Sequence, residues 1–276
     1  MNSDADNETL FLRWALTEMG FRWEGFRKPQ RQVLKRIRGR IYELNLPGGF
    51  KEYMEYLREN PEEWNQLERL CYVTISRFFR DRKLWDYIRD SLIPELIQDN
   101  PGTLKAWSAG CCNGEEPYTV SIICNQLEKK IAPFPVFTVL ATDHHREMLQ
   151  RAREGIYPPG ALKEMKWIEI QNFFETLENG QKRYKIAASA ASNVEFEQRD
   201  IRLSLPEGPF GLVFCRNLVF TYFNESHQKR FLQRLKPVLS SGGVLIIGKN
   251  ETVPETGWLE RIKTVHPVYQ KKSPDS

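Results

Sequence analysis

The chain has 276 residues, 41% of them hydrophobic and 28% charged, with a formal net charge of +4. This length allows one large domain or two smaller ones with real cores, and the charge is too mild to mark a nucleic-acid binder. No apolar run reaches the roughly eighteen residues that a membrane span needs.

The opening MNSDADNETL is acidic and polar, unlike a secretory signal. The first ninety or so residues read as helices. Between residues 27 and 40, RKPQRQVLKRIRGR holds seven basic residues and no acidic one. On a helical wheel Val33, Leu34, Ile37, Ile41 and Leu44 share one face, and Lys28, Arg31, Lys35 and Arg38 gather on another. The basic row is either a solvated face over a packed stripe or a docking surface for an acidic partner. No acid at i+4 neutralises it. GGFKEYMEYLRENPEEWNQLERLCYV continues the helical pattern, with turns at Pro47-Gly48-Gly49 and Asn60-Pro61. TISRFFRDRKLWDYIRDSLIPEL follows, its Phe78, Phe79, Trp85 and Ile88 suited to a packed helix pair.

IQDNPGT reads as a break, and strands and helices alternate after it. The pattern predicts strands at 104–109 and PVFTVLAT, helices at 115–129 and HREMLQRAREGIY, then the strand LVFCRN, the helix ESHQKRFLQRLKPVL and the strand VLIIG. That alternation marks a doubly wound, mostly parallel α/β sheet. Between Lys163 and Asp200 the rhythm lapses, and NGQKRYKIAASAASNVEFEQ reads as a small antiparallel β insertion. The expected organisation is a helical domain over 1–92 and a sheet domain over 93–276, with the insertion at about 163–200.

The turn after the first strand, AGCCNGEEP, carries the chemistry. Ligands of open parallel sheets sit past the carboxyl ends of the strands, and Gly110 and Gly114 let the backbone turn there. A phosphate site would offer a bare helix start and usually a lysine; this turn offers Glu115 and Glu116. Two acids are also ordinary at a helix start. The second strand ends in ATDHH, which puts Asp143 where an acid accepts from ribose hydroxyls, or where it caps the next helix. Together they point to an adenosine joined to a cationic group, as in S-adenosylmethionine. FCRNLVFTYF adds Asn217, able to donate and accept at the sheet's edge, and Arg216, equally suited to a buried ion pair. The five cysteines show no CxxC pair and no zinc spacing, so they read as reduced thiols of a cytoplasmic protein without a metal site. Cys111 and Cys112 read as small residues in a tight turn, since sequence neighbours seldom form a disulfide.

WSAGCCNGEEPYT, FFRD, FCRN with a nearby YF, and SGGVLIIGKNE, in this order, resemble the CheR family of S-adenosylmethionine-dependent methyltransferases that act on glutamates of chemotaxis receptors. The likeness runs from about Phe11 to Tyr269. It implies a class I methyltransferase sheet behind an N-terminal helical domain. It implies that Glu115 holds the cofactor's amino group, Asp143 its ribose, Asp200 and Ile201 its adenine, and that Gly110, Asn217 and Leu218 line it, with S-adenosylhomocysteine as product. Thr74 and Ser76 stand where the family has Asn and Thr, and Arg80 would reach from the helical domain over cofactor and substrate. Arg31, Lys35 and Arg38 would meet the acidic helices of a receptor, through which alone the chain would touch a membrane. Asp143-His144-His145 departs from the family's Asp-Ile-Asp, and the 217–222 stretch is one residue longer than the common pattern.

An acceptor glutamate is already ionised at neutral pH, so methyl transfer needs alignment rather than a general base. His144 and His145 therefore read as histidines at a helix start. Arg80 is the candidate fork for the acceptor carboxylate, and Tyr222 either positions the acceptor or packs in the core. Two other readings stay open: a methyltransferase of the same fold acting on another carboxylate or a small molecule, and a non-catalytic S-adenosylmethionine-binding module.

Overall fold

The computed structural model describes residues 3–72, 76–99 and 102–273. Its contacts divide the chain into two units, Met1–Thr74 with Thr221–Gln228, and Ile75–Phe220 with Lys229–Ser276. The sequence pattern sets a boundary after residue 92. The contacts draw it earlier, because Phe78, Trp85, Ile88 and Leu92 pack in one core with Ile122 and Phe214.

The first unit holds helices α1 (Ser3–Glu18), α2 (Trp23–Phe26), α3 (Gln30–Glu43), α4 (Gly49–Glu59) and α5 (Glu63–Cys71). α1 buries Phe11, Leu12, Ala15 and Leu16 and α3 buries Val33, Leu34, Ile37 and Ile41, and both helices pack on α4. The Phe11 ring lies 5.2 Å from Phe50 and 5.6 Å from Tyr53. Beneath them Glu63, buried, accepts from Arg40 Nε at 2.9 Å and Nη2 at 2.8 Å and from the Tyr53 hydroxyl at 2.8 Å. On the basic face of α3, Arg38 meets Glu8 of α1 at 2.8 Å, so the neutralising acid comes from another helix rather than from i+4. Arg31 and Lys35 are exposed, with no ion pair among the described residues. Thr221–Gln228 joins this unit through Arg22, whose N–H donates to the Tyr222 carbonyl at 2.8 Å and whose Nε donates to that of Thr221 at 2.9 Å.

The second unit opens with α6 (Arg82–Tyr87), a π-helical turn at Ile88–Leu92 and α7 (Ile93–Asp99). Then come β1 (Thr103–Ala109), α8 (Glu115–Glu128), β2 (Val136–Asp143), α9 (Arg146–Glu154) and β3 (Ile156–Tyr157). Next are α10 (Trp167–Phe173), β4 (Phe174–Asn179), β5 (Gln181–Ile186), α11 (Ala188–Ala191), β6 (Val194–Gln198) and β7 (Phe210–Cys215). The short α12 (Val219–Tyr222) and α13 (Glu225–Val238) include the stretch assigned to the first unit, and β8 (Leu239–Ile247), β9 (Leu259–Arg261) and β10 (Val268–Lys271) close the chain.

Seven strands lie in the order β6-β2-β1-β7-β8-β10-β9. The first five are mutually parallel, and β10 is antiparallel to both its neighbours. The central strands are buried along most of their length, because α8 and its neighbours cover the sheet. The insertion is a separate sheet, β3-β5-β4, antiparallel throughout. It differs from the expected segment at both ends. It takes in Ile156–Tyr157, and Val194–Gln198 pairs instead in parallel with β2, from Val139↔Val194 to Asp143↔Gln198. Val194 and Phe196 pack on the core while Glu195 and Glu197 alternate with them, a pattern that suits a hairpin strand and a parallel edge strand equally. No helix among the described residues is long and apolar enough to cross a membrane.

Candidate active site

Strand order reverses between β1 and β7, and the residues following β1, β2, β6, β7 and β8 gather at that carboxyl edge. After Ala109 the chain turns at Gly110, whose φ of +73° is left-handed, and a Cβ there would come within 2.6 Å of Leu218 Cδ2. The Gly110 and Cys111 N–H groups both donate to the Thr142 carbonyl, at 2.8 and 3.0 Å. Cys112 N–H donates to Asp143 Oδ2 at 3.0 Å. Gly114, φ +89°, closes the turn, and a Cβ on it would meet Ala152 at 3.0 Å and the Tyr157 hydroxyl at 3.2 Å. Both cysteines are free thiols, and burial pushes each well above the ordinary value, with Asp143 adding to the effect.

The two glutamates at the start of α8 have different surroundings. Glu116 Oε1 accepts from Ser108 Oγ at 2.8 Å and Oε2 from Arg216 Nη1 at 3.2 Å. Burial raises its pKa against the pull of Arg216. Glu115 is 3% exposed, and its Oε2 has no hydrogen-bond partner among the described residues. Burial raises its pKa too, opposed by its own backbone N–H and the Ser76 and Asn113 side chains. A buried carboxylate oxygen without a donor is costly unless a ligand supplies one.

At the end of β2, Asp143 Oδ1 accepts from His145 N–H at 2.9 Å and Nδ1 at 3.1 Å. Burial works to raise its pKa, but the His145 side chain and backbone, the His144 charge and the Cys112 N–H outweigh it and hold the carboxyl below its ordinary value. Past β6, the Arg199 N–H donates to the Asp143 carbonyl at 3.0 Å. Asp200 is bound by Arg202 at 2.6 Å and by the Arg202 N–H at 2.8 Å, and Ile201 is buried beside it.

Past β7, Asn217 adopts φ +55° and donates its N–H to Glu251 Oε2 at 2.8 Å. The same oxygen takes the Gly248 N–H at 2.5 Å. Glu251, the last residue of the GKNE stretch, thus ties the loops after β7 and β8 together. No local pattern shows this, because the two N–H groups come from different loops. Arg80, between Phe79 (φ +53°) and Asp81 (φ +68°), lies near enough to Glu116 and Cys112 to lower the pKa of each. It belongs to this second unit rather than to the helical one. Arg216 takes the ion-pair alternative, bound to Asp81 at 2.6 Å. Thr74 lies outside the described residues. Tyr222 belongs to the first unit, its ring 5.0 Å from Phe26, as do Arg31, Lys35 and Arg38.

The site fits a ligand with a cationic amino group and an adenosine, and not a phosphate. The unpartnered Glu115 oxygen calls for an N–H donor, and the 110–116 turn holds no lysine. Counted without the inserted strands, the sheet order is third, second, first, fourth, fifth, seventh, sixth, with the seventh antiparallel. Sheet and site define a class I S-adenosylmethionine-dependent methyltransferase. The family described as CheR methyltransferase, SAM binding domain, matches residues 74–268, and the chain belongs to it. Among its relatives, the probable chemotaxis protein methyltransferase of Rhizobium etli is 31% identical over 227 residues, 80% of this chain and 84% of that one. The chemotaxis protein methyltransferase of Listeria innocua is 31% identical over 204 residues, 74% and 75% of the two chains.

Proposed function

We propose that the protein transfers a methyl group from S-adenosylmethionine to glutamate side chains of a chemoreceptor, and that Glu115 is the acid that holds the cofactor's amino group. The observation that carries this is the buried Glu115 Oε2, which has no donor among the described residues. When bound, the cofactor supplies a methyl on a sulfonium, whose carbon–sulfur bond breaks as an acceptor carboxylate oxygen bonds to carbon, leaving a neutral thioether. The residues provide position and exclude water. Gly110 and Leu218 shape the floor of the turn, Asp143 offers its carboxylate to the ribose, and Asp200 with Ile201 lies beside the adenine. Asn217 and Ser76 complete the lining, with Thr74 in the same role. Arg80 presents a fork to the acceptor carboxylate, and no group has to take a proton. Tyr222 positions the acceptor, and the exposed Arg31 and Lys35, with Arg38, dock acidic receptor helices; the family resemblance supports these roles. Five free cysteines suit a reducing compartment, and we place the protein in the cytoplasm, at the membrane only through the receptor. Calorimetry of S-adenosylmethionine on the full chain and on Glu115→Gln tests the assignment. A loss of about tenfold or more in affinity is expected for a charged partner removed, and an unchanged dissociation constant would show that Glu115 does not hold the amine.

A further inference from the structure

Three motif residues that carry no cofactor role in the proposed function meet in one network: Asp81 of FFRD, Glu116 of GEEP and Arg216 of FCRN. The Arg216 side chain is 5% exposed. Its Nη2 donates to Asp81 Oδ2 at 2.6 Å and to the Arg80 carbonyl at 3.1 Å, and its Nη1 to Glu116 Oε2 at 3.2 Å. The guanidinium lies 5.4 Å over the ring of Trp85, whose Nε1 donates to the same Arg80 carbonyl at 2.8 Å. Two donors, one following β7 and one from α6, therefore converge on the backbone of Arg80.

That backbone needs holding. Phe79 and Asp81, on either side of Arg80, both occupy the left-handed region, which non-glycine residues adopt at a cost and keep only where the surroundings impose it. Phe79 is fixed by its N–H to Thr119 Oγ1 at 3.2 Å and by the Arg82 guanidinium 4.5 Å over its ring. Asp81 is fixed by Arg216. Glu116, held in turn by Ser108, keeps the Arg216 fork in place. A lysine could not reach three acceptors in two directions from one rigid plane.

We infer that Arg216, anchored by Glu116, is a positioning residue that holds the 79–81 turn and so sets the direction of the Arg80 side chain. This rests on the role of Arg80 proposed above. The test is a double-mutant cycle on the full chain, with Arg216→Lys and Asp81→Asn each made alone and on Arg80→Ala. Single-turnover transfer from methyl-tritiated S-adenosylmethionine to a chemoreceptor cytoplasmic fragment gives the rates, with S-adenosylhomocysteine affinity and thermal unfolding followed in parallel. Arg216→Lys is expected to slow transfer about tenfold when Arg80 is present and less than about twofold when it is absent. Its S-adenosylhomocysteine affinity should stay within about threefold of the parent. Asp81→Asn, at a more exposed partner (34%), should act in the same direction and carries the test if Arg216→Lys does not fold. Equal losses in both backgrounds, or no loss in either, would overturn the inference. A parental rate in Arg80→Ala would instead overturn the role of Arg80, and the inference with it, which a single-site series distinguishes.

Discussion

Burying Glu115 with one oxygen unpartnered among the described residues makes its charge expensive, and a bound cation relieves that cost. Its folded-state pKa stands above the ordinary glutamate value, because burial penalises the charged form, so the carboxylate that an ammonium needs forms at a higher pH than in an exposed glutamate. As the pH falls through the raised value the carboxyl takes up a proton, which binding must then expel. Affinity for S-adenosylmethionine should therefore be flat at high pH and decline on mild acidification, earlier than an ordinary carboxyl of about 4.3 allows. Calorimetry across that range, in buffers of different ionisation heat, should also detect proton release on binding. Glu115→Gln should lose both the slope and the proton, and a retained slope would assign it to another group. Gly110 gives a second check. Alanine there adds a Cβ 2.6 Å from Leu218 at a φ of +73°, and a loss of about 1–3 kcal/mol in urea unfolding is expected. A variant as stable as the parent would show that the turn relaxes freely.

In the helical unit, α3, α4 and α5 meet on one buried ion pair. Glu63 is 7% exposed and bound by Arg40 and Tyr53. Burial works to raise its pKa, but these partners outweigh it and hold the carboxyl below its ordinary value. The stability it contributes is thus fully present above the unfolded glutamate value of about 4.3 and is lost as the pH falls through the lower folded one. Breaking such a pair by removing one member costs about 3–5 kcal/mol, so Glu63→Ala should lower stability by that order in denaturant unfolding. Glu8→Ala, which removes the partner of the exposed Arg38, should cost less than about 1 kcal/mol. Similar losses from the two would contradict the weight given to burial. The helix faces themselves were legible: Val33, Leu34, Ile37 and Ile41 are buried as their spacing requires. The partner of Arg38 was not, because Glu8 comes from another helix. Nor was the pairing of Val194–Gln198, since alternation marks a half-buried strand without naming its neighbour.

Across the whole chain, the alternation of strands and helices made the sheet and its carboxyl edge readable, and with them Gly110, Glu115 and Asp143 as candidates. What the sequence could not show is how α8 divides its two glutamates, Glu116 to Arg216 one hundred residues away and Glu115 to the open turn. The role of Glu251 is not legible in the sequence for the same reason, its two N–H donors belonging to separate loops. The function assigned to this chain is the formation of methyl esters on receptor glutamates. It is tested most directly by incubating the full chain with methyl-tritiated S-adenosylmethionine and a purified chemoreceptor cytoplasmic fragment, then treating the fragment with alkali. The expected result is label on the fragment that base releases as volatile methanol and that disappears when the acceptor glutamates are replaced by alanine. Tight cofactor binding with no base-labile label on the receptor would contradict it.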